Sequence, residues 1–386
     1  MNKPYHLLIV GPMPPPLTGT PVSFQLFVEE AQKSDALSHL NIIDASPRYL
    51  KQVTGTGLSF SRSNISQAWR IIWDFIQKAP KADRIILFGS NGFAISLAPI
   101  LLTIAKLMRK PCYLRIFGGS LDQFVVKIPF FFRYLLYFTL RRVDGLIVQT
   151  KLLYDYFLPY LGEKKLYILA GYRSSEFRTY APKNYVEPFH KPFRLAYFGI
   201  IKEEKGVFVL LESMQKLQEE SDIQVLCDLY GSIPAEIESR FLHTLSQVEG
   251  VHFKGVLEWD KVIPTLSTYD ALVHPTFYQG EGQPGVLIET MMAGIPAIST
   301  EFRSIPEVIT DGDNGLLVPP GDTTALADAI SRLYRDHKLY NRLAEKNWNM
   351  QKNYDASCLV PSILKQINES SNDSVFSELQ SDSTYF

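Results

Sequence analysis

Short runs of apolar, often β-branched residues alternate along the chain with longer segments of helical periodicity. This alternation is typical of βαβ units, in which crossover helices join parallel strands. The first series of predicted strands comprises His6 to Val10, Ile42 to Asp44, Ile85 to Phe88, Cys112 to Ile116, Gly145 to Val148 and Leu166 to Leu169. The second series comprises Arg194 to Phe198, Ile223 to Leu229, Val251 to Phe253, Ala271 to His274, Ala297 to Ser299 and Leu316 to Val318. The sequence therefore predicts an α/β protein with two Rossmann-like, doubly wound domains.

Chain length and the gap between the two series set the predicted domains. A chain of 386 residues exceeds the size at which one hydrophobic core stops growing, so two cores are expected. We predict a first domain over 1–187, a second over 188–340, closing helices over 341–368 that return to the first domain, and a disordered tail over 369–386. Two such domains facing each other across a cleft would present helix N-termini to a nucleotide.

Cysteine usage and hydropathy indicate a cytoplasmic protein. Cys112, Cys227 and Cys358 form no disulfide or zinc pattern, which fits a reducing compartment. The N-terminus has no secretory cleavage pattern. Residues 85–105 carry no charge, but glycines and Pro99 interrupt them, so they predict a strand, a turn and a buried helix and not a membrane span.

Charge is divided unevenly between the two halves. Residues 1–187 hold 23 Lys and Arg against 12 Asp and Glu, net +11, whereas residues 188–386 hold 16 against 28, net −12. The first half is therefore expected to face something anionic, such as a membrane surface or a phosphate-bearing substrate. The aromatic segment 130–138, flanked by Lys127 and Arg141, could lie in a membrane interface. The alternative is a helix packed on the sheet.

The most informative segment, 280–289, follows the predicted strand that ends at His274. Its glycines permit a tight loop with exposed amides, and Pro284 suits the start of a helix that directs its dipole at an anion. Glu281 on the loop and Glu289 on the helix can accept hydrogen bonds from different hydroxyls of one ligand. The alternative is an ordinary helix start with a solvated Glu281 and a capping Glu289.

A second candidate loop follows the strand that ends at Gly199 and carries Lys202 and Lys205 ahead of a predicted helix. Such cations can neutralise the charge that grows on a leaving diphosphate without a metal ion. The alternative is a solvated run of charges. Residues 311–313 have the spacing of a metal-binding DxD motif, but their place between a helix and a strand favours a turn. No metal site is predicted.

These segments resemble the two-glutamate signature of retaining glycosyltransferases of family 4, the glycosyl transferases group 1, which have the GT-B fold. The resemblance is carried by His274-Pro275-Thr276 through Gly285 to Glu289, by Ala293 to Ala297, and by Ser304 to Glu307 with Asp311-Gly312 and Asn314 to Val318. It is highly specific only over about 195–322.

The resemblance implies roles for the residues of the second half. Glu281 would contact the donor sugar near its 3- and 4-hydroxyls, and Glu289 would bind the nucleotide ribose. The donor-binding backbone would comprise Gly199, Gln283, Pro284, Gly285, Val286 and Leu287. Lys205 matches the family lysine, but Ile200 holds the place of the family arginine, for which Lys202 would substitute without its bidentate grip.

The resemblance also implies roles in the first half. Gly19 and Thr20 end a proline-rich loop that resembles the family's first loop, where backbone amides approach the diphosphate; a plain proline-rich loop is the alternative. Many relatives carry a histidine at the place of Phe117. Four residues are candidates for the acceptor side: Phe117, Gly118, Gly119 and Asp122. Asp122 could accept the acceptor proton or cap a helix.

The family implies a metal-independent retaining transferase that moves a sugar from a nucleotide-diphosphate sugar to a hydroxyl acceptor, with no cofactor. A pathway to surface polysaccharide or glycolipid is expected, with a lipid-linked saccharide as one acceptor class, peripheral contact with the inner face of the membrane, and no nucleic-acid partner. Two alternatives stay open: a sugar-nucleotide epimerase of similar shape, and a non-catalytic nucleotide-sugar-binding partner protein.

Overall fold

The structure is a computed structural model that describes residues 3–15, 19–46, 62–177, 181–185, 192–219 and 223–381. The chain divides into two compact units. The first holds the described residues up to Ala170 together with those from Ala356 onward, and the second is Gly171–Asp355. Each unit contains a parallel six-stranded sheet. The predicted α/β class with two Rossmann-like units is confirmed.

The first unit builds its sheet from six strands in the order β2-β1-β3-β4-β5-β6. The strands are β1 (Tyr5–Gly11), β2 (Leu37–Asp44), β3 (Arg84–Gly89), β4 (Cys112–Ile116), β5 (Gly145–Val148) and β6 (Leu166–Ile168). The helices are α1 (Gly19–Gln32), α2 (Arg62–Lys78), α3 (Asn91–Ile95), α4 (Leu97–Leu107), α5 (Leu121–Lys127), α6 (Phe130–Arg142), α7 (Lys151–Leu161) and the last helix, introduced below. Most of these strands are apolar and buried, as in sheets that helices cover on both faces, whereas the edge strand β2 is polar and partly exposed.

The second unit repeats the plan in the order β12-β11-β10-β7-β8-β9. Its strands are β7 (Phe193–Phe198), β8 (Val225–Tyr230), β9 (Val251–Gly255), β10 (Ala271–His274), β11 (Ala297–Thr300) and β12 (Gly315–Val318). Its helices are α8 (Val207–Gln218), α9 (Ala235–Leu245), α10 (Val262–Leu266), α11 (Gly285–Met292), α12 (Thr323–Arg335) and α13 (His337–Met350). The final helix, α14 (Ala356–Ser381), lies in the first unit.

Strand order reverses between β7 and β10, because the chain leaves β7 toward β8 on one side and returns to β10 on the other. Ligands of open α/β sheets bind at such switch points, beyond the carboxyl ends of the two strands. The corresponding switch in the first sheet lies between β1 and β3. The loops that follow β7 and β10 are therefore the place to look for a site in the second unit.

Two of the predicted boundaries differ from the observed ones. The predicted end of the first domain, 187, falls inside the second unit, because the chain already packs there from Gly171 onward. Of the predicted closing segment 341–368, α13 stays in the second core through Leu343 and its neighbours, and only α14 belongs to the first unit.

The tail predicted as disordered from 369 is helical as far as Ser381, and 382–386 lie outside the described residues. The strand β2 begins at Leu37, five residues before the predicted start at Ile42. Its polar residues, which lie at the edge of the sheet, hid the apolar pattern from which strands were predicted. Among the described residues, no helix combines the length and the apolar character needed to cross a bilayer.

Candidate functional site: two buried carboxylates at the switch point

The loop after β10 carries Glu281 into a buried ion pair. Its Oε2 lies 2.6 Å from the Nζ of Lys205 and accepts a 2.8 Å hydrogen bond from the hydroxyl of Thr276. Glu281 is only 7% exposed. Both contacts use Oε2, and within the described part of the chain Oε1 receives no hydrogen bond. One carboxylate oxygen is thus held by the protein and the other is open to a ligand.

The surroundings of Glu281 favour its charged form. Burial alone would raise the pKa of this carboxyl, but His274 and Lys205 outweigh burial and lower the pKa to about 2. The Nε2 of His274 lies 3.9 Å from Oε2, which is beyond hydrogen-bond distance, so its influence is electrostatic. His274 itself is buried, with 3% of its surface exposed.

Close packing of two loops brings Lys205 to Glu281. Lys205 ends a short 3₁₀ turn after β7, and Gly206 follows it with φ +77°. A Cβ at Gly206 would lie 2.0 Å from the carbonyl oxygen of Pro275, so only glycine allows this approach. The amide of Phe277 donates to the carbonyl of Glu204 at 2.8 Å and ties the loops together.

Lys202 and Gly199 lie in the same loop as Lys205, but neither forms a hydrogen bond with Glu281. The side chain of Lys202 is exposed, and its carbonyl accepts from the amide of Lys205 at 3.1 Å. Gly199 donates its amide to the carbonyl of Tyr230 at 3.0 Å, which fixes the end of β7. Ile200, at the place of the family arginine, is 47% exposed. Only Lys205 of the two predicted cations is held against Glu281.

Glu289 lies on α11 and is paired with an arginine that the sequence did not identify. The Nε and Nη2 of Arg173 donate to Oε1 of Glu289 at 2.9 and 2.7 Å. The backbone amide of Arg173 is bonded to the carbonyl of Tyr354 at 2.9 Å. A Cβ at Gly285 would lie 2.2 Å from Nη2 of Arg173, so this glycine makes room for the guanidinium. Within the described residues, Oε2 of Glu289 receives no hydrogen bond.

The segment between the two glutamates is held by its own contacts. The side-chain oxygen of Gln283 accepts from the amide of Gly171. Ser304 donates to the carbonyl of Gly282 at 2.5 Å, and the Nε of Arg303 donates to the carbonyl of Glu281 at 3.1 Å. The helix α11 begins directly after Pro284, so the backbone of Gly285, Val286 and Leu287 forms its first turn, as the sequence predicts. Helix starts of this kind favour anions.

The predicted donor residues of the first unit begin a helix. Gly19 and Thr20 are the first residues of α1, which follows β1 at the switch point of the first sheet. No atom lies within 4 Å of a Cβ built at Gly19, so packing does not require a glycine there. Residues 16–18 of the predicted proline-rich loop lie outside the described residues.

The predicted acceptor residues follow β4. The ring of Phe117 packs against Phe88 at 5.9 Å between centroids. Gly118 has φ +95° and open space around its Cβ position; Gly119, which follows it, is buried. Asp122 lies within the first turn of α5, whose N-cap is Ser120, so Asp122 does not occupy the N-cap position itself. An acid in that turn still complements the helix dipole.

The candidate metal motif forms a turn. Gly312 has φ +70°. Asp311 accepts from the amide of Leu317 at 2.9 Å, while Asp313 pairs with Lys346 at 3.0 Å. Across the described residues, no group of three His, Cys, Asp or Glu side chains is placed to hold a metal ion.

The segment that carries Glu281 and Glu289 also matches known proteins. Residues 192–336 match the family model described as glycosyl transferases group 1. A phosphatidyl-myo-inositol mannosyltransferase of Mycobacterium leprae is 30% identical over 162 residues, which cover 42% of this chain and 42% of the relative. An N-acetyl-alpha-D-glucosaminyl L-malate synthase of Bacillus anthracis is 27% identical over 162 residues, 39% of this chain and 41% of the relative. The match thus spans about two fifths of the length of each of these relatives.

The fold is shared more widely than the sequence. The crystal structure of the Anabaena protein HepE in complex with UDP is similar with a TM-score of 0.69 at 13% identity. That similarity covers 95% of this chain and 100% of HepE. It concerns the fold, which is GT-B. Residues 192–336 in the second unit are thus similar to the glycosyl transferases group 1, and the fold of the chain is GT-B.

Proposed function

We propose that the protein is a retaining, metal-independent glycosyltransferase that moves a sugar from a nucleotide-diphosphate sugar to a hydroxyl acceptor. The observation that carries the proposal is the buried pair of Glu281 and Lys205 at the β7/β10 switch point, with Glu289 on the helix that follows. Burying two charged groups costs desolvation free energy, which their attraction offsets only when further hydrogen bonds satisfy them. A buried pair with an unbonded oxygen therefore points to a ligand. Here each glutamate keeps one oxygen for a ligand.

Donor binding uses those two free oxygens. Oε1 of Glu281 accepts hydrogen bonds from sugar hydroxyls, and Oε2 of Glu289 accepts from the ribose diol. The amides at the start of α11, over 283–287, lie along the sugar and the diphosphate. Gly199, at the end of β7, provides a further backbone contact. Charged acceptors give hydrogen bonds about twice as strong as neutral ones, which favours a hydroxylated donor.

The transfer step breaks the bond between the anomeric carbon and the diphosphate oxygen. Lys205 and the start of α11 stabilise the negative charge that develops on the leaving diphosphate, with Lys202 as a second cation. The acceptor hydroxyl oxygen bonds to the anomeric carbon on the same face, and its proton passes to the leaving oxygen. Products are a glycoside and a nucleoside diphosphate. This route needs no protein nucleophile and no histidine at Phe117.

The acceptor is assigned to the first unit, at Phe117, Gly118, Gly119 and Asp122. The open space at Gly118 supports a chain-like or saccharide acceptor approaching the backbone there. The mycobacterial relative is named as a phosphatidyl-myo-inositol mannosyltransferase, and phosphatidyl-myo-inositol is a lipid. This name supports a lipid-linked acceptor. It also supports a role in glycolipid or surface polysaccharide synthesis at the cytoplasmic face of a membrane. A peripheral contact through the aromatic helix α6 fits such an acceptor.

The test has two stages. UDP-, GDP- and ADP-sugars are first screened for thermal stabilisation, because a ligand that binds the folded state raises its unfolding midpoint. The stabilising donor is then incubated with saccharide acceptors in the presence of EDTA, and the anomeric configuration of the product is read by NMR. Retention with EDTA present supports the proposal. A new nucleotide sugar formed without acceptor would identify an epimerase, and binding without any turnover would identify a nucleotide-sugar sensor.

A further inference from the structure

Three neighbouring helices cover one face of the first sheet. Phe75 of α2, Leu102 of α4 and Leu136 of α6 belong to one buried cluster with the sheet residues Leu8 and Leu87. The helix α4 contacts both α2 and α6. Because all three pack inward on the same sheet face, their outer sides form one continuous surface that points away from the sheet. We call this surface the α2–α4–α6 face.

This face exposes apolar side chains on all three helices. The exposed residues are Ile65, Trp69, Trp73 and Ile76 on α2, Ile100 and Leu107 on α4, and Phe130, Phe131, Tyr134 and Phe138 on α6. Trp69 and Trp73 are 68% and 62% exposed, and Phe130 is 82% exposed. On α2 and α6 the main stripe has the spacing i, i+4, i+8, which places its members on one side of a helix. Scattered exposed apolar residues are ordinary, whereas an aligned set marks an interaction surface.

The segment that contains these helices is cationic. Residues 62–142 hold 13 Lys and Arg against 3 Asp and Glu, net +10, and of these cations Arg84 and Arg115 are buried in strands β3 and β4. Exposed cations stand at the helix ends, among them Arg109, Lys127, Arg141 and Arg142. Tryptophan and tyrosine with flanking cations are the side chains that favour the boundary between lipid headgroups and acyl chains. Anionic lipids attract such cations near the membrane surface.

The same charge argues against a second copy of the chain as the occupant. A symmetric dimer through this face would bring two identical cationic surfaces together. Like charges at close range oppose such an association. An anionic bilayer instead supplies both the apolar layer for the aromatic stripe and the opposite charge.

We propose that the α2–α4–α6 face docks on an anionic lipid bilayer, with Trp69 and Trp73 inserted at the level of the headgroups. The inference extends the membrane contact proposed for α6 to a surface of three helices, and it rests on the proposed function only for its link to a lipid-linked acceptor. Docking of this kind would hold the first unit at the membrane while the second unit binds a donor from solution.

The experiment measures binding of the full chain to vesicles of phosphatidylcholine alone and of phosphatidylcholine with phosphatidylglycerol. Vesicles containing brominated lipid report insertion by quenching tryptophan fluorescence; the chain has four tryptophans. The test variant is Trp69→Ser with Trp73→Ser. Its matched control is Trp348→Ser, which removes a tryptophan that is 42% exposed in the second unit. Because the substituted side chains are exposed, both variants are expected to fold, which circular dichroism checks.

The wild type and the control are expected to bind anionic vesicles and to be quenched. The double variant should lose at least about tenfold in affinity, since two large aromatic surfaces no longer leave water. Equal binding by the double variant, absence of wild-type binding to anionic vesicles, or a dimer that the double variant abolishes would overturn the proposal. A parallel thermal-shift measurement with nucleotide sugars separates the two proposals, because failed docking leaves donor stabilisation intact and failed donor binding leaves docking intact.

Discussion

The two glutamates of the second unit are both buried and both paired with a cation, yet the pairs are built differently. Glu281 is held by a lysine through one nitrogen and by the hydroxyl of Thr276. Glu289 is held by Arg173 through two nitrogens on one oxygen. The lysine ammonium is a point charge on a flexible stem, whereas the guanidinium is a planar donor of fixed geometry. The first pair can therefore share its cation with a leaving diphosphate, and the second pair fixes the orientation of a carboxylate.

The largest effect is expected from Lys205→Met, which removes the cation assigned to the leaving group. The turnover number should fall by ~10²–10³-fold, as when a preorganised charge stabiliser is removed from an active site. Single-turnover kinetics with saturating donor measure the chemical step. The surface variant Lys261→Met is the control. A fall of less than about fivefold corresponds to the free energy of an exposed ion pair. It would show that groups other than Lys205 stabilise the charge on the leaving diphosphate.

The electrostatics of Glu281 predict how stability depends on pH. Its pKa is lowered from 4.5 to about 2 in the folded protein, so its stabilising contribution is present above pH 4.5 and is lost as the pH falls to 2. The stability advantage of the wild type over Glu281→Gln should shrink by ~3 kcal/mol across that window. Urea unfolding at several pH values measures it, with the exposed Glu301→Gln as control. An advantage that stays constant with pH would contradict the ion-pair account.

The arginine pair predicts a smaller effect, on donor affinity. Arg173→Gln removes the two donors that orient Glu289, so the dissociation constant for the nucleoside diphosphate should rise about tenfold with the chemical step unchanged. Arg173→Lys keeps the charge but not the two-pronged geometry, and should restore only part of the affinity. Isothermal titration calorimetry with the nucleoside diphosphate measures both. Full affinity in Arg173→Gln would show that Glu289 needs no orienting partner.

Lys202→Met is expected to have the smallest effect. Lys202 is exposed and is not held against either glutamate, so the turnover number should fall by less than about fivefold. The measurement is the steady-state rate beside that of Lys205→Met. A loss as large as that of Lys205→Met would show that Lys202 takes the place of the family arginine at Ile200.

The two pairs also differ in how far the sequence revealed them. Glu281 and Lys205 each follow a predicted strand at a glycine-containing loop, and strand order brings those loops together. Arg173 could not be named, because it lies 116 positions from Glu289 in a connector without periodicity. A buried carboxylate on a helix does require a cation or hydrogen-bond donors, so the need for a partner was inferable while its identity was not.

The domain boundaries show the same limit. The strands were predictable because both sheets are buried on two faces and read as apolar runs. The points where the chain passes from one unit to the other were not predictable. Proline and charge content identify a connector in the sequence, but they do not show which unit the connector packs against. Gly171 already binds Gln283 in the second unit, sixteen residues before the predicted boundary at 187.

The most direct test of the central claim is a calorimetric comparison of two ligands with two variants. The ligands are the nucleotide sugar that gives the largest thermal shift and its nucleoside diphosphate, and the variants are Glu281→Gln and Glu289→Gln. Glu281→Gln should weaken only the nucleotide sugar, because the proposal assigns this carboxylate to the sugar. Glu289→Gln should weaken both ligands equally, because the proposal assigns it to the ribose that they share. Unchanged affinity of both variants for both ligands would contradict the assignment of the two carboxylates to the donor.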